Sequence, residues 1–322
     1  MTTLHPLHGP HPLDTYRPLD TGFTIEPLGA FSLRESALFG FGGRDADWDG
    51  RMRMAFCLDG LPGHDAQVGV VLTQPGGPDT PVLGEVVGTT DPGRLALAQG
   101  QTARILSLHL DGRGFDEVVA REEVLADLAR LRPGLRPPQF FSPYEAALWA
   151  VLSARRPAAQ MKLVRGRLAA AHGRELVFDG RSFAAVPTPQ QMLEVEVFPG
   201  IPQVKLARMH AVAGAALGGQ LDVDRLVSMG PDAALADLQR LPGIGPFYAA
   251  LVVIRALGLP DVLPTQEPRA VDLVRRIWRL PQVPTAGELE AMAAPWAPYR
   301  TWAVVYVRAV GEELLRERAH TA

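Results

Sequence analysis

The chain has 322 residues, of which 47% are hydrophobic and 21% charged, so we expect a globular protein of two or three domains with full hydrophobic cores. Its single cysteine, Cys57, excludes an internal disulfide and a cysteine-rich metal site or iron–sulfur cluster, and it favours a reducing, cytoplasmic location. The sequence contains no apolar run of about 18 residues, which argues against a membrane-spanning helix, and its first residues do not resemble a signal peptide.

The formal net charge of −3 is distributed unevenly along the chain. Residues 1–132 contain 11 arginines, no lysine and 18 acidic residues, a charge of −7, and the remaining residues carry +4. A polyanionic partner would therefore bind the second part of the chain.

The first part, residues 1–132, is predicted to be an α+β domain. After a His- and Pro-rich tail over 1–14, apolar residues alternate with other residues in segments such as 51–60 and 102–112, which are separated by Gly- and Pro-containing turns. Alternation of this kind predicts the strands of an antiparallel sheet. The spacing of apolar residues over 115–131 predicts one amphipathic helix after the sheet.

The second part, residues 133–322, is predicted to be all-helical. Ser142 followed by Pro143 is typical of a helix start, and segments with helical spacing of apolar residues continue toward the end of the chain. We therefore expect an α+β chain with an N-terminal antiparallel sheet domain followed by a helical region.

The sequence LPGIG at 241–245 lies between a helical segment and a long apolar run. This order predicts a helix-hairpin-helix at about 231–257, with Pro246 in the first turn of the second helix. Gly243 and Gly245 have no Cβ, so a partner can approach their backbone amides closely. These amides and the positive end of the helix dipole would form a phosphate site. A tight turn between two core helices is the alternative.

Four stretches favour the phosphate site because they resemble segments of one known family in the same order. They are the hairpin, RPGLRPP at 132–138, VPTPQQM at 186–192 and PWAPYRTWAVVYV at 295–307. The family is the helix-hairpin-helix DNA glycosylase superfamily, and the resemblance, over about 132–310, is strongest to its DNA-3-methyladenine glycosylase II branch. It implies an enzyme of base-excision repair that flips a damaged base out of duplex DNA. In such an enzyme Gly243, Ile244, Gly245 and Pro246 would hold the DNA backbone.

The resemblance also implies a catalytic carboxylate, because these enzymes stabilise an oxocarbenium-like sugar as the base leaves. Counting from Phe247 as in the family branch, the implied residue is Glu267, at a position where the family normally has aspartate. Asp272 is the competing candidate, since it resembles the corresponding aspartate of the endonuclease III branch if extra residues are allowed between the two motifs.

Arg155 falls where the family inserts an apolar side chain into the gap left by the flipped base. An arginine can stack and hydrogen-bond within a base stack, so it could fill this gap. Alternatively, Arg155 and Arg156 form a pair that faces phosphates.

The implied base pocket contains Phe247, Tyr248, Leu251, Trp302 and Arg308, although Trp302 would equally suit a hydrophobic core. Branches of the superfamily that also cut the DNA backbone have a lysine where Phe247 stands, because an amine must form the Schiff base. The chain has two lysines, neither of them in this segment, so the resemblance implies a monofunctional glycosylase without lyase activity.

No cofactor is implied for the reaction. The resemblance does imply a structural Na⁺ or K⁺ at the hairpin, bound by the backbone carbonyls of Gln239, Leu241 and Gly243.

Together these features predict a monomeric cytoplasmic enzyme, associated with the nucleoid, that removes alkylated purines such as 3-methyladenine from double-stranded DNA. The departures from the family at residues 155, 251, 267 and 308 leave an alternative from another class, a protein that binds damaged or distorted DNA without cutting it. A third interpretation is a helical interaction module that does not bind DNA.

Overall fold

The computed structural model describes residues 21–39, 48–265 and 267–321. Its combination of a small antiparallel sheet with many helices confirms the α+β class. The predicted His- and Pro-rich tail, residues 1–14, lies outside the described residues. Across the described ranges, no helix combines the length and the apolar character needed to cross a membrane.

A four-stranded antiparallel sheet has the strand order β1-β4-β3-β2. Its strands are β1 (Gly22–Ile25), β2 (Arg51–Cys57), β3 (Gln67–Thr73) and β4 (Val82–Val87). Helices α1 (Leu33–Leu38) and α2 (Pro92–Ile105) share a hydrophobic core with it. Met52, Met54 and Phe56 enter this core because alternate residues of a strand point to one face.

The predicted strand at 102–112 is wrong, because α2 continues to Ile105 and the chain then turns at Ser107, where φ is 56°. The side chain of Asp91 accepts a hydrogen bond from the Arg94 N–H at 2.9 Å, and Pro92 lies in the first turn. Both features favour a helix start. Leu106 and Leu108 are buried, but they flank a turn and do not form one face of a strand.

The single helix predicted over 115–131 is two helices, α3 (Arg113–Arg121) and α4 (Glu123–Leu131). The interruption lies at Glu122, whose backbone is extended with φ −125° and ψ 101°. Apolar spacing alone did not reveal it, because the residues on both sides keep a helical pattern.

The prediction that residues 133–322 are all-helical is also wrong. A hairpin forms from β5 (Arg174–Phe178) and β6 (Arg181–Ala185), with Asp179 and Gly180 at positive φ values of 52° and 68°. Positive φ at both central residues is the geometry that an Asp-Gly turn favours. Leu176 and Phe178 pack with Ala55 and Val71 of the main sheet, so the hairpin covers the face of the sheet opposite the α2 core.

Ten helices of the described chain follow residue 132 and build two hydrophobic cores. They are α5 (Pro143–Ser153), α6 (Ala158–His172), α7 (Pro189–Leu193), α8 (Gln203–Leu217), α9 (Val223–Ser228), α10 (Pro231–Leu238), α11 (Pro246–Ala256), α12 (Pro268–Ile277), α13 (Ala286–Met292) and α14 (Arg300–Thr321). Helices α5 to α11 share one core. Helices α12 to α14 share the other core with α3 and α4. This core therefore contains helices from both sides of residue 132, the predicted domain boundary.

Arg136 is buried where the first part of the chain meets the C-terminal helices. Its guanidinium donates hydrogen bonds to the backbone carbonyls of Ala30 at 2.9 Å, Leu110 at 3.1 Å and Ser107 at 3.3 Å, and also to that of Leu28. Burial lowers its pKa to about 10, which leaves the side chain charged at neutral pH. One arginine therefore joins backbone segments that are distant in sequence.

Cys57 is fully buried at the end of β2. Its N–H donates to a carboxylate oxygen of Glu145 at 3.2 Å, and its thiol lies 3.5 Å from the carbonyl of Val186. Burial raises the pKa of this thiol well above its ordinary value.

Candidate functional site

A short turn, residues 239–245, joins α10 to α11 and is called the hairpin below. Leu241 and Ile244 anchor it, since both are buried and the Ile244 N–H donates to the Leu241 carbonyl at 3.0 Å. Gly243, Gly245 and Pro246 are exposed. Within the described part of the chain, the amides of Gly243 and Gly245 donate no hydrogen bond. Two unpaired donors therefore lie beside the N-terminus of α11, an arrangement that suits an anion.

The fold constrains the two glycines differently. Gly243 has φ +92°, and a Cβ there would lie 2.8 Å from the Cδ of Arg208, so the fold itself disfavours any side chain. Gly245 has φ −90°, and a Cβ there would meet no atom within 4 Å. The fold therefore does not require glycine at 245, and the space beside this residue is open to solvent.

A cavity of about 260 Å³ lies beside the hairpin. Its walls come mainly from α11 and α14, with further residues from the start of α12 and the end of α1. The lining residues are Phe39, Phe247, Ala250, Leu251, Ile254, Arg255, Pro264, Glu267, Thr301, Val304, Val305 and Arg308. The walls are thus largely apolar, with a few charged groups, as is typical of sites that take a flat organic ligand.

Glu267 lies in the wall of this cavity at the N-terminus of α12. Its carboxylate accepts a hydrogen bond from the Ala270 N–H at 2.6 Å. The same carboxylate forms an ion pair with Arg308, whose Nε lies 3.0 Å away. The helix amide fixes the carboxylate, while a quarter of the side chain remains exposed. A carboxylate held in this way can face a cationic ligand without rearrangement.

Asp272, the competing candidate, does not line the cavity. It lies one turn further along α12, where its carboxylate pairs with Arg275 at 3.0 Å and Arg276 at 3.8 Å. Its side chain is nearly half exposed. The structure therefore places Asp272 in a surface ion-pair cluster.

Of the residues predicted for the base pocket, the structure brings Phe247, Leu251 and Arg308 together in the cavity wall. Phe247 is 45% exposed, unusually high for an aromatic side chain. Tyr248 does not line the cavity, because it packs edge-on against Phe247 and against the α5–α11 core.

Trp302 does not line the cavity either, so its predicted pocket role is wrong. It is 2% exposed and packs in the α12–α14 core against Phe115 and Tyr299, at ring-centroid distances of 5.3 and 5.2 Å. The core accommodates the indole, and the α14 residues that face the cavity are Thr301, Val304, Val305 and Arg308.

Arg155 and Arg156 are exposed in the turn between α5 and α6. Arg155 has φ 56°, a left-handed conformation that costs an ordinary residue about 1 kcal/mol and persists only where its surroundings enforce it. The turn thus presents two neighbouring guanidinium groups on a constrained loop.

Curated proteins and solved structures resemble this chain, whereas no family model matches it. A probable bifunctional transcriptional activator/DNA repair enzyme AlkA of Mycobacterium tuberculosis is 29% identical over 217 residues, 66% of this chain and 42% of that protein. A DNA-3-methyladenine glycosylase of Bacillus subtilis is 22% identical over 60% of this chain and 65% of its own length. The chain therefore spans less than half of the first relative and about two thirds of the second.

Two solved structures have the same fold as this chain. A 3-methyladenine DNA-glycosylase from Archaeoglobus fulgidus has a TM-score of 0.74 and 18% identity, covering 90% of this chain and 98% of its own. A Clostridium acetobutylicum 8-oxoguanine glycosylase/lyase, solved with DNA, has a TM-score of 0.66 and 13% identity, covering 94% and 97%. The names of the sequence relatives, together with the shared fold, support the helix-hairpin-helix DNA glycosylase superfamily. The names of its sequence relatives support the DNA-3-methyladenine glycosylase branch.

The glycosylase fold contains a cavity residue that the sequence analysis missed. Arg255 of α11 lines the cavity, and its guanidinium donates to the Pro138 carbonyl and lies 5.3 Å from the centre of the Phe39 ring. Burial, with a contribution from nearby Arg308, lowers its pKa to about 9. The signal in the sequence was one charged residue within the apolar run of α11.

The carbonyls predicted to bind a monovalent cation are chemically suited to it. The Leu241 carbonyl already accepts one hydrogen bond, from Ile244, and those of Gln239 and Gly243 accept none within the described residues. Uncharged oxygens with free lone pairs are suitable ligands for hard cations. The Na⁺ or K⁺ site at the hairpin stays a prediction.

Lys205 of α8 is the second residue that the sequence analysis missed. Its ammonium donates to the carbonyls of Leu152 and Ala154, at 2.6 and 2.8 Å, at the C-terminus of α5. Desolvation, together with Arg156 and Arg208, lowers its pKa. Lys205 thus holds the turn that carries Arg155.

Replacing Lys205 by methionine is expected to lower the free energy of unfolding by about 1–2 kcal/mol, because two carbonyls lose their charged donor. Urea unfolding without DNA measures this change, and hydrogen exchange at the amides of residues 154–156 should become faster. Lys162→Met is the matched control, since the ammonium of Lys162 is exposed on α6. Equal stability of the two variants would contradict the role given to Lys205.

Proposed function

We propose that this chain is a base-excision glycosylase that hydrolyses the N-glycosidic bond of alkylated purines, such as 3-methyladenine, in duplex DNA. One observation carries the proposal. Residues 243–247 contain both the exposed amides of the hairpin and Phe247, which lines the cavity that contains Glu267. A phosphate on the hairpin and a flipped base in the cavity would then belong to the same stretch of DNA.

The chemistry follows from the charge of the groups involved. As the bond between C1′ and the base nitrogen breaks, its electron pair stays with the base and the sugar becomes cationic. Glu267 provides the negative charge that stabilises this cation. Water then adds to C1′, and its proton leaves to the base or to solvent. An alkylated purine already carries a positive charge, so it leaves without a general acid.

The reaction would end at the abasic site. A lyase step requires an amine beside C1′, and neither Lys162 nor Lys205 lines the cavity. Lys205 is instead committed to the end of α5.

On the DNA side, we infer that Arg155 fills the gap left by the flipped base, and that Arg156 and the hairpin amides of Gly243 and Gly245 contact phosphates. Phosphate contacts of this kind hold DNA without reading its sequence. The affinity should therefore decrease with increasing salt. A monomer with a Na⁺ or K⁺ at the hairpin fits this arrangement.

Base release tests the proposal directly. The protein is incubated with duplexes that contain methylated purines, and abasic sites are revealed by heating in alkali. Release of base without strand cleavage before the alkali step is expected. Salt-dependent DNA binding with no release from any lesion would overturn the proposal and favour the alternative, a protein that binds damaged DNA without cutting it.

Gly245→Ala should separate DNA binding from folding. We expect unchanged thermal stability, because the added Cβ meets no atom within 4 Å. We also expect about tenfold weaker DNA binding, because the added Cβ would keep a phosphate away from the amide, and a hydrogen bond to a charged group contributes about 1.5 kcal/mol. Thermal unfolding and fluorescence anisotropy measure the two effects.

Gly287→Ala is the control for this prediction, since that glycine of α13 also has open space at the Cβ position. DNA affinity should stay at the wild-type value in it, and thermal stability should be equal or slightly higher, because alanine favours a helix more than glycine does. Wild-type DNA affinity in the Gly245→Ala protein would show that DNA does not approach this amide.

A further inference from the structure

Arg208 of α8 lies against the hairpin. A Cβ added to Gly243 would lie 2.8 Å from the Cδ of Arg208 and 3.5 Å from its Nε, so the stem of the arginine covers this glycine. Arg208 is exposed, and within the described ranges its guanidinium makes no hydrogen bond or ion pair. Five N–H donors are therefore available beside the hairpin.

The backbone of Gly243 allows this close approach. Its φ of +92° favours glycine, and the contact with Arg208 gives a second reason for the absence of a side chain. The stem and the glycine pack together without an intervening Cβ. This packing keeps the guanidinium close to the amides of Gly243 and Gly245, which donate no hydrogen bond within the described part of the chain.

The surroundings of Arg208 are basic. Lys205 lies one turn earlier on α8, where the carbonyls of Leu152 and Ala154 hold its ammonium. Among the described residues, the charged groups that act on this ammonium are Arg156 and Arg208, and both lower its pKa. Three cations from α8 and the α5–α6 turn are thus close enough to repel one another. Such a cluster favours the binding of an anion.

We propose that Arg208 binds the same DNA phosphate as the hairpin amides of Gly243 and Gly245. The amides are uncharged donors fixed by the backbone, and the guanidinium supplies the full positive charge that they lack. The inference rests on the proposed function and deepens it, because it adds a charged side chain to the phosphate site of the hairpin.

Two features of the protein without DNA favour this contact. A long side chain loses rotamer freedom when it binds a phosphate, and the packing of the Arg208 stem on Gly243 already restricts the positions that the stem can take. Repulsion from Lys205 and Arg156 also raises the energy of the unbound state, and a phosphate relieves this repulsion. Both effects lower the cost of ordering the guanidinium on DNA.

Arg208→Met removes the charge and keeps an unbranched stem over Gly243. Thermal stability should stay at the wild-type value, because the replaced guanidinium is exposed and has no partner among the described residues. Binding to a duplex that contains a stable abasic analogue should become about tenfold weaker. The plot of log binding constant against log salt concentration should become less steep by about 0.9, the value for one phosphate contact. Fluorescence anisotropy at several KCl concentrations measures both effects.

Two further variants serve as controls. Arg208→Lys keeps the charge, so the salt dependence should stay at the wild-type value, and the affinity should decrease less than in Arg208→Met. Arg316 is exposed on α14, which packs with α3 and α4 in the other core. Arg316→Met should therefore change neither the affinity nor the salt dependence.

A series of duplexes locates the contact, each with one phosphate near the abasic analogue replaced by an uncharged methylphosphonate. At one position of this series, the wild type and Arg208→Met should bind with equal affinity. The effect of Gly245→Ala should disappear at the same position, because the two residues then lack the same partner.

Wild-type affinity and salt dependence in Arg208→Met would overturn the inference. A loss of affinity that persists at every position of the series, or that disappears at a different phosphate from the effect of Gly245→Ala, would overturn it as well. None of these measurements depends on base release. A wild-type protein that makes this contact but releases no base from methylated DNA would therefore contradict the proposed function alone.

Discussion

A Glu267→Gln protein is expected to release methylated purines about 100- to 1,000-fold more slowly than the wild type, the usual cost of removing one electrostatic contact to a transition state. The glutamine oxygen can still accept the Ala270 N–H, which Glu267 accepts at 2.6 Å, so the start of α12 is retained. DNA affinity should therefore change little. Single-turnover release and fluorescence anisotropy test the two parts.

Asp272→Asn is the matched control, because it removes a carboxylate from the same helix outside the cavity. Its ion pairs with Arg275 and Arg276 lie at the surface, where such pairs contribute little to stability. Release should stay at the wild-type rate. If instead this variant is slow and Glu267→Gln is not, the carboxylate that stabilises the sugar is Asp272.

The largest effect on stability is expected from Arg136→Met, which should lower the free energy of unfolding by about 4 kcal/mol. The methionine fills part of the same space but leaves the carbonyls of Leu28, Ala30, Ser107 and Leu110 without the donor that now serves them. Each buried carbonyl left unpaired costs about 1–3 kcal/mol, with partial relief from water. Urea unfolding monitored by circular dichroism measures the change.

Arg113→Met provides the control for Arg136→Met. Arg113 is exposed and pairs with Asp111, a surface neighbour two residues earlier. No measurable loss of stability is expected from it. A loss below about 1 kcal/mol in Arg136→Met would show that its four carbonyls find other partners, such as water.

The hairpin could be predicted because it depends on local sequence, and Glu267 was implied by the family resemblance, which places a carboxylate at a fixed spacing from Phe247. LPGIG determines a turn through its own backbone preferences, and the distance from Phe247 to Glu267 is a spacing within one segment. Arg255 could not be found in this way, since a charged residue in an apolar helix becomes informative only when its neighbours in space are known. Trp302 was misplaced for the same reason, because an aromatic residue fits a core and a pocket equally well by sequence.

Local sequence patterns also gave wrong predictions where tertiary packing determines the secondary structure. Leu106 and Leu108 are buried on the two sides of a turn, although the period-two pattern predicted a strand. The β5–β6 hairpin did carry a sequence signal, Asp179–Gly180, but its flanking strands are short and lie between helices. The grouping of α3 and α4 with α12 to α14 has no local signal at all, because apolar spacing identifies the buried face of a helix and not the partner that covers it.

The position of Cys57 has a consequence for chemical durability. The reagents that methylate purines also attack thiolates, which are far stronger nucleophiles than thiols. The only sulfhydryl in the sequence is fully buried, and burial raises its pKa, so it stays protonated and out of reach. The protein therefore offers no surface thiolate to the electrophiles that create alkylated DNA, and would not lose its own structure to them through cysteine modification.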